Sequence, residues 1–220
     1  MAVVEIDRGP DLSGSDLQAE VDRIRAAGDT PRWWVHGARP EHRDLAAALG
    51  LAPVRSLFQM RRPLPLEETT DLVTRPYRPG VDDEAWLAVN NRAFAWHPDQ
   101  GGWTAAVLAG RRAEPWFDPE GFLLHERDGR LAGFCWTKVH PATDVDPPLG
   151  EIYVIAVDPD FVGLGLGRAL TVAGLQHLAG RGLEVGMLYV ESDNAPAVGL
   201  YEALGFHVHQ TDTAFEPADA

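Results

Sequence analysis

Asp158-Pro159-Asp160-Phe161-Val162-Gly163-Leu164-Gly165-Leu166-Gly167-Arg168-Ala169-Leu170 stands between an apolar run that ends at Val157 and an amphipathic stretch that continues to Ala179. Closely spaced glycines let the backbone turn tightly and bare its N–H groups at a helix N-terminus, where the helix dipole favours a diphosphate. Two common alternatives fail on spacing. A dinucleotide G-x-G-x-x-G would need glycine at Arg168 or Leu170, and a phosphate-binding P-loop would need Gly-Lys followed by Ser or Thr. On the glycines alone, an anion cradle and a plain flexible turn both stay open.

Upstream of this turn, Glu151 to Val157 reads as a strand closed by Asp158-Pro159. Before it come strands at Gly121 to Arg127 and Arg130 to Val139, joined by Asp128-Gly129, a hairpin turn signal. Helices are expected at Asp82 to Phe94 and Thr104 to Arg112, after a strand at Leu72 to Pro76. Downstream, a helix from about Gly167 to Ala179 leads to a strand at Met187 to Val190, a helix at Ala195 to Leu204 and a last strand at His207 to Phe215. Hairpin strands followed by β-α-β units predict a mixed α/β sheet, an α+β arrangement rather than a purely parallel one.

Near the N-terminus, Leu17, Val21 and Ile24 recur at spacings of four and three, the mark of an amphipathic helix over Gly14 to Ala27 that Gly28 ends. Trp33 to Val35 reads as a strand, Glu41 to Leu49 as a helix stopped by Gly50, and Val54 to Met60 as a strand. Arg61 to Asp71, with Pro63 and Pro65, looks like an extended linker. These signals divide the chain into a segment 1–62, a linker 63–71 and a larger domain 72–220. A shift of 155 residues lays Leu49-Gly50-Leu51 on Leu204-Gly205-Phe206, Trp34-Val35 on Tyr189-Val190, and Leu17 on Val172. The two ends look like copies, with nothing upstream of the first helix in the N-terminal one. That copy reads as a half-domain, and half a sheet exposes an unpaired edge, so 1–62 is expected to pack on the larger domain or on another subunit.

The 220 residues carry a net charge of -14, which argues against a nucleic-acid partner, since a phosphate backbone needs a basic stripe. No apolar run approaches the ~18 residues of a membrane-spanning helix, and Met1 to Gly28 lacks the features of a signal peptide. A cytoplasmic protein with no membrane partner is expected. The lone Cys135 falls in an apolar run and reads as a core residue. His125-Glu126 lacks the second histidine of H-E-x-x-H, and His207 and His209 have no nearby cysteine, so no metal is expected.

Val162-Gly163-Leu164-Gly165-Leu166-Gly167 resembles motif A of the GNAT acetyltransferase superfamily, Gln/Arg-x-x-Gly-x-Gly/Ala, with Gly165 and Gly167 in the glycine places and Val162 where Gln or Arg is usual. Asn194-Ala195-Pro196-Ala197-Val198-Gly199-Leu200-Tyr201-Glu202-Ala203-Leu204-Gly205-Phe206 resembles the family's second signature, Asn-x-x-Ala-x-x-x-Tyr-x-x-x-Gly-Phe. The resemblance implies an acetyl-coenzyme A-dependent N-acetyltransferase. Its coenzyme would lie along Ile155, Ala156 and Val157, on Val162, Gly163, Leu164, Gly165, Leu166, Gly167 and Arg168, and against Asn194 and Ala197. Amine acetylation needs a base for the attacking nitrogen and an acid for the departing thiolate. Glu151 opens the strand that leads into the glycine turn and is the candidate base. Tyr201 is the candidate acid, a phenol near pKa 10 being a workable donor to a thiolate of about 8.5. Ala46 occupies the matching place in the first copy, which therefore cannot perform this step.

Longer phrases are similar to the mycothiol synthase family: Asn90 to Phe94, Trp96 to Trp103, Glu114 to Gly121 and Leu188 to Asn194, with Gln59 to Leu64 resembling the end of that family's first domain. The resemblance implies acetylation of the cysteinyl amine of a cysteinyl-glucosaminyl-inositol, with Asp99, Lys138, Glu151 and Tyr189 lining the substrate site. Carboxylates attract an ammonium, and a lysine can anchor a hydroxyl-rich head. Two other functions stay open: a GNAT enzyme acting on another small-molecule or peptide amine, and a non-catalytic acyl-coenzyme A-binding partner. What the family draws from a complete first domain does not carry over to 1–62.

Overall fold

Leu17, Val21 and Ile24 form the buried face of helix α1 (Gly14–Ala26), each at most 1% exposed. Burying three such side chains contributes roughly 1.5–3 kcal/mol apiece. Their partners are Trp33 and Val35 of strand β2 (Thr30–Val35), Ala46 of helix α2 (Pro40–Ala48), Leu51 of strand β3 (Leu51–Pro63) and Phe215 of the last strand. A short strand β1 (Val3–Ile6), which the sequence pattern did not announce, runs parallel to β2. The N-terminal copy therefore does have a strand ahead of its first helix. The computed structural model describes residues 2–6, 14–97 and 99–218.

The chain forms two compact units, Met1–Arg61 with Tyr189–Ala220, and Arg62–Leu188. In the first, the last strand β9 (His207–Pro217) lies between β2 and β3, antiparallel to both. β3 is longer than its apolar signal, because Arg61 to Pro63, expected in the linker, continue the strand. The offset of 155 carries α2 onto helix α6 (Ala195–Glu202) and β3 onto β9, so the element order of the two chain ends repeats.

The second unit is built on an antiparallel meander. Strand β4 is only Arg75–Pro76, because Leu72 to Thr74, expected in it, make no ladder. It pairs with β5 (Phe122–Arg127), β5 with β6 (Arg130–His140), and β6 with β7 (Leu149–Val157). Asp128 and Gly129 both have positive φ, 53° and 74°, the backbone that a tight two-residue hairpin demands. Helices α3 (Asp83–Ala93) and α4 (Ala105–Arg112) cover one face, where Trp86, Phe122, Phe134 and Trp136 make an aromatic core. Helix α5 (Leu166–Gly180) lies against β6 and β7, close enough that a Cβ on Gly174 would sit 2.5 Å from the Cys135 sulfur. Cys135 is fully buried, and burial pushes its thiol pKa up, in keeping with a core residue. After α5, strand β8 (Val185–Glu191) returns parallel to β7.

Candidate active site

β7 joins the two ends of the candidate site. Its ladder with β6 continues to Val157, whereas its pairing with β8 covers only Gly150, Glu151 and Ile152. Among the described pairs, Val154 to Val157 thus have strand partners on one side alone, which leaves backbone groups of Ile155, Ala156 or Val157 for another occupant. Strict alternation would put Glu151, Tyr153, Ile155 and Val157 on one face. The register instead shifts at Tyr153, since Trp136 faces Val154 and Thr137 faces Ile152. Such a bulge re-aims the side chains beside it. Glu151 is buried, like its neighbours Leu149, Gly150 and Ile152, while Tyr153, Ile155 and Val157 are partly open.

Glu151 is 6% exposed and its Oε2 lies 2.7 Å from Nε2 of His140 at the end of β6. Across the same ladder its register partner is Lys138. The Lys138 ammonium sits 4.8 Å from the centre of the Trp116 ring and 5.4 Å from that of Tyr153, a cation held over two aromatic faces. Burial above all pushes the Tyr153 phenol pKa up, with the charges of Glu151 and Glu114 adding and Arg111 opposing. Sequence reasoning singled out Glu151 and Lys138 and passed over His140, Trp116 and Tyr153. His140 was within reach, because it lies two residues beyond Lys138 and a strand returns to the same face at that spacing.

Downstream of Val157, Asp158 accepts a hydrogen bond from the Asp160 amide at 3.0 Å and starts a single 3-10 turn, Pro159–Phe161. Val162 is extended (φ -65°, ψ 150°) and exposed. Gly163 and Gly165 then take φ of 85° and 74°, and Gly165 forms the N-cap of α5. A Cβ at either would meet nothing within 4 Å, so backbone conformation rather than space calls for glycine there. A left-handed residue followed by a helical one, as at Gly165-Leu166, points successive N–H groups into one concavity, an anion nest. Gly167 is already inside the first turn, its carbonyl accepting from the Thr171 hydroxyl. Gly165, Arg168, Ala169 and Val172 line a cleft of about 320 Å³ with Glu68, Thr69 and Thr70.

Asp99 lies on the loop between α3 and α4. Asn91 ties that loop down by accepting from the Trp103 amide and donating to the Trp103 carbonyl, both at 2.8 Å, while Trp103 Nε1 donates to the Asp99 carbonyl. The phrase around Asn90-Asn91, on α3, thereby holds the end of that loop at Trp103. Glu151, Lys138, Asp99, Ile155 to Val157 and Val162 to Arg168 all belong to the 62–188 unit.

Asn194, Ala197, Tyr201 and Tyr189 belong to the other unit. The Asn194 side chain caps α6 by accepting from the Ala197 amide at 3.3 Å. Tyr201 is buried with its ring 5.8 Å from that of Phe206. Tyr189 is 41% exposed, and its hydroxyl accepts from the Gln59 amide nitrogen at 2.8 Å. Among the described residues no group of three or more His, Cys, Asp or Glu side chains could hold a metal ion, and no helix is long and apolar enough to cross a membrane.

The profile of the acetyltransferase (GNAT) family matches residues 67–206. The mycothiol acetyltransferase of Thermomonospora curvata is 56% identical over 200 residues, which cover 88% of this chain and 65% of that protein. That of Acidothermus cellulolyticus is 49% identical over 229 residues, covering 96% of this chain and 70% of that protein. The chain thus spans about two thirds of the length of these curated relatives. Among solved structures, a GCN5-related N-acetyltransferase from Sphaerobacter thermophilus superposes with a TM-score of 0.67 at 23% identity, over 94% of this chain and 69% of that one. A tandem GNAT protein from the clavulanic acid biosynthesis pathway gives 0.65 at 17%, over 97% and 74%. These two likenesses speak to fold, and the sequence relatives speak to kinship. The chain belongs to the acetyltransferase (GNAT) family and, within it, to the mycothiol acetyltransferases.

Proposed function

We propose that this chain is an acetyl-coenzyme A-dependent N-acetyltransferase whose acceptor is the cysteinyl amine of a cysteinyl-glucosaminyl-inositol. One observation carries the reading. A buried carboxylate, a one-sided strand edge and a left-handed glycine turn capping a helix follow one another on the continuous segment Glu151 to Arg168. From Glu151 to Val157 the strand covers six residue steps, roughly 20 Å at about 3.3 Å each, enough to separate an acyl group from a diphosphate. The coenzyme would supply the activated acetyl group as a thioester. Its diphosphate fits the nest at Gly163 to Gly167 and the N-terminus of α5, where backbone amides and the dipole both favour an anion. Val162 brings no charge to that place, so the backbone carries the contact, with Arg168 alongside.

In the proposed chemistry Glu151 removes a proton from the ammonium of the acceptor, since only a neutral amine attacks a thioester. Backbone N–H groups near Ile155 and Val157 would polarise the acyl carbonyl. Tyr201, at the far end of the helix that Asn194 caps, would protonate the departing sulfur. Lys138 and Asp99 would hold the hydroxyl-rich acceptor, and Tyr189 would add a phenol to the same task. The identity with mycothiol acetyltransferases supports this acceptor over another small amine or a peptide amine. Buried Glu151 and its bonded histidine count against a mere acyl-coenzyme A binder.

Coenzyme A release, followed with the cysteinyl-glucosaminyl-inositol, with simple amines and with no acceptor, tests the reading. Turnover is expected with the first alone, and Glu151→Gln is expected to lower kcat by about 10²–10⁴-fold. Equal release with every amine, or none above the acceptor-free control, would reject the acceptor assignment, and full kcat in Glu151→Gln would reject the base.

A further inference from the structure

The acetyl-transfer reading makes Glu151 a base but does not say which of its two oxygens acts, and the geometry does. Glu151 is 6% exposed, and among the described residues its side chain has a single hydrogen-bond partner, Nε2 of His140 on the neighbouring strand at 2.7 Å from Oε2. A lone carboxylate buried to that degree is costly unless a donor satisfies it. An ionised carboxylate only accepts, so the shared proton belongs to Nε2 of the histidine. Lys138, the register partner across the ladder, is directed to the Trp116 and Tyr153 rings.

We infer that His140 is a positioning residue for the base: its Nε2–H fixes Oε2 of Glu151, and Oε1 is thereby the atom presented to the acceptor amine. The proposal rests on the acetyltransferase reading. In the step it serves, the acceptor ammonium gives one proton to Oε1, the nitrogen keeps its lone pair for attack, and His140 retains its own proton throughout. The side chains of His140 and Glu151 are 32% and 8% exposed, so the histidine side of the pair is the more open to solvent. Without the donor, the carboxylate would be free to rotate or to turn toward Lys138, and a misplacement of about 1 Å can cost 10²-fold in rate.

Two substitutions in the full chain separate this from a packing role. His140→Phe keeps a ring and removes the donor, and it is expected to lower kcat by roughly 10–100-fold with KM for acetyl-coenzyme A unchanged. His140→Gln offers an amide N–H to the same oxygen and is expected to recover most of that loss. Unchanged kcat in His140→Phe, or equal losses in both variants, would overturn the assignment. A second readout needs no turnover. Nitrogen-15 spectra of the His140 imidazole should show the Nε2–H tautomer in the wild-type chain and lose that preference in Glu151→Ala, whereas an Nδ1–H tautomer in the wild-type chain would overturn the proposal. A wild-type chain that fails to acetylate the cysteinyl amine would sink the acceptor reading while the imidazole spectrum still decides the role of His140.

Discussion

Asp82 shows how one side chain can organise the entry to a domain. Its carboxylate accepts from Nη1 and Nη2 of Arg75 at 2.8 and 2.9 Å, and from the amide, Nε and Nη2 of Arg78 at 2.7, 3.1 and 2.8 Å. Burial pushes its pKa up, but the hydrogen bonds from Arg78 and Arg75 outweigh it and hold the group well below the usual carboxylate range. The folded value is therefore depressed, so the stabilisation is complete above the unfolded value of about 3.9 and is lost as pH falls through the folded one. Asp82→Asn should cost about 2–3 kcal/mol at neutral pH, near the lower end for breaking a buried pair, because both arginines are partly exposed and can return to water. The urea midpoints of wild type and variant should begin to approach each other as pH falls below about 4 and continue to do so toward lower pH. A gap that stays constant with pH would mean the charge of Asp82 contributes nothing.

At the scale of elements, the seat of α5 on β6 and β7 is the tightest packing near the glycine turn. A Cβ on Gly174 would lie 2.5 Å from Cys135 Sγ and 2.7 Å from Ile152 Cδ1, whereas one on Gly180, at the end of the same helix, would meet nothing within 4 Å. Alanine gains about 1 kcal/mol of helix propensity at an interior glycine, but overpacking a closed core costs about 1–3 kcal/mol. Gly174→Ala should therefore lower Tm by about 2–4 °C for each kcal/mol of net loss, while Gly180→Ala should leave it unchanged or raise it. A higher Tm for Gly174→Ala would show that α5 can lift off the sheet. Most of this element was legible beforehand: the glycines and the closing Asp158-Pro159 placed the turn, and the periodicity after Gly167 placed the helix. The bulge at Tyr153 was not, because a bulge is set by how two strands pair and leaves no mark in the alternation of either one. For the same reason Glu151 could be named but not its bond to His140, and β1 was missed because four residues carry too short a pattern to register.

At the scale of the whole molecule the informative feature is the pairing of β9. The proline-rich stretch near Arg61 to Asp71 divides the chain into a segment 1–62, a linker 63–71 and a domain 72–220, with 1–62 expected to pack on that domain or on another subunit, but it does not say which strands lie side by side. In the structure Trp33 to Val35 pair with Thr213 to Phe215, and β3 pairs with β9 from Leu51–Pro217 to Arg61–His207. A strand pairing on both edges is invisible to local pattern, since periodicity reports which face of a strand is buried and not which segment lies beside it. The consequence is measurable. A chain reduced to residues 63–220 would leave both edges of β9 without partners and expose Ala214 and Phe215, each 0% exposed in the full chain. Long unpaired apolar edges invite association. The truncated chain is thus expected to aggregate or to elute well above the monomer position on size exclusion. Co-expression with residues 1–62 as a separate chain should restore solubility, because the missing partners are strands rather than a covalent tether. A soluble monomer of 63–220 that unfolds with the midpoint of the full chain would show that β9 does not depend on β2 and β3.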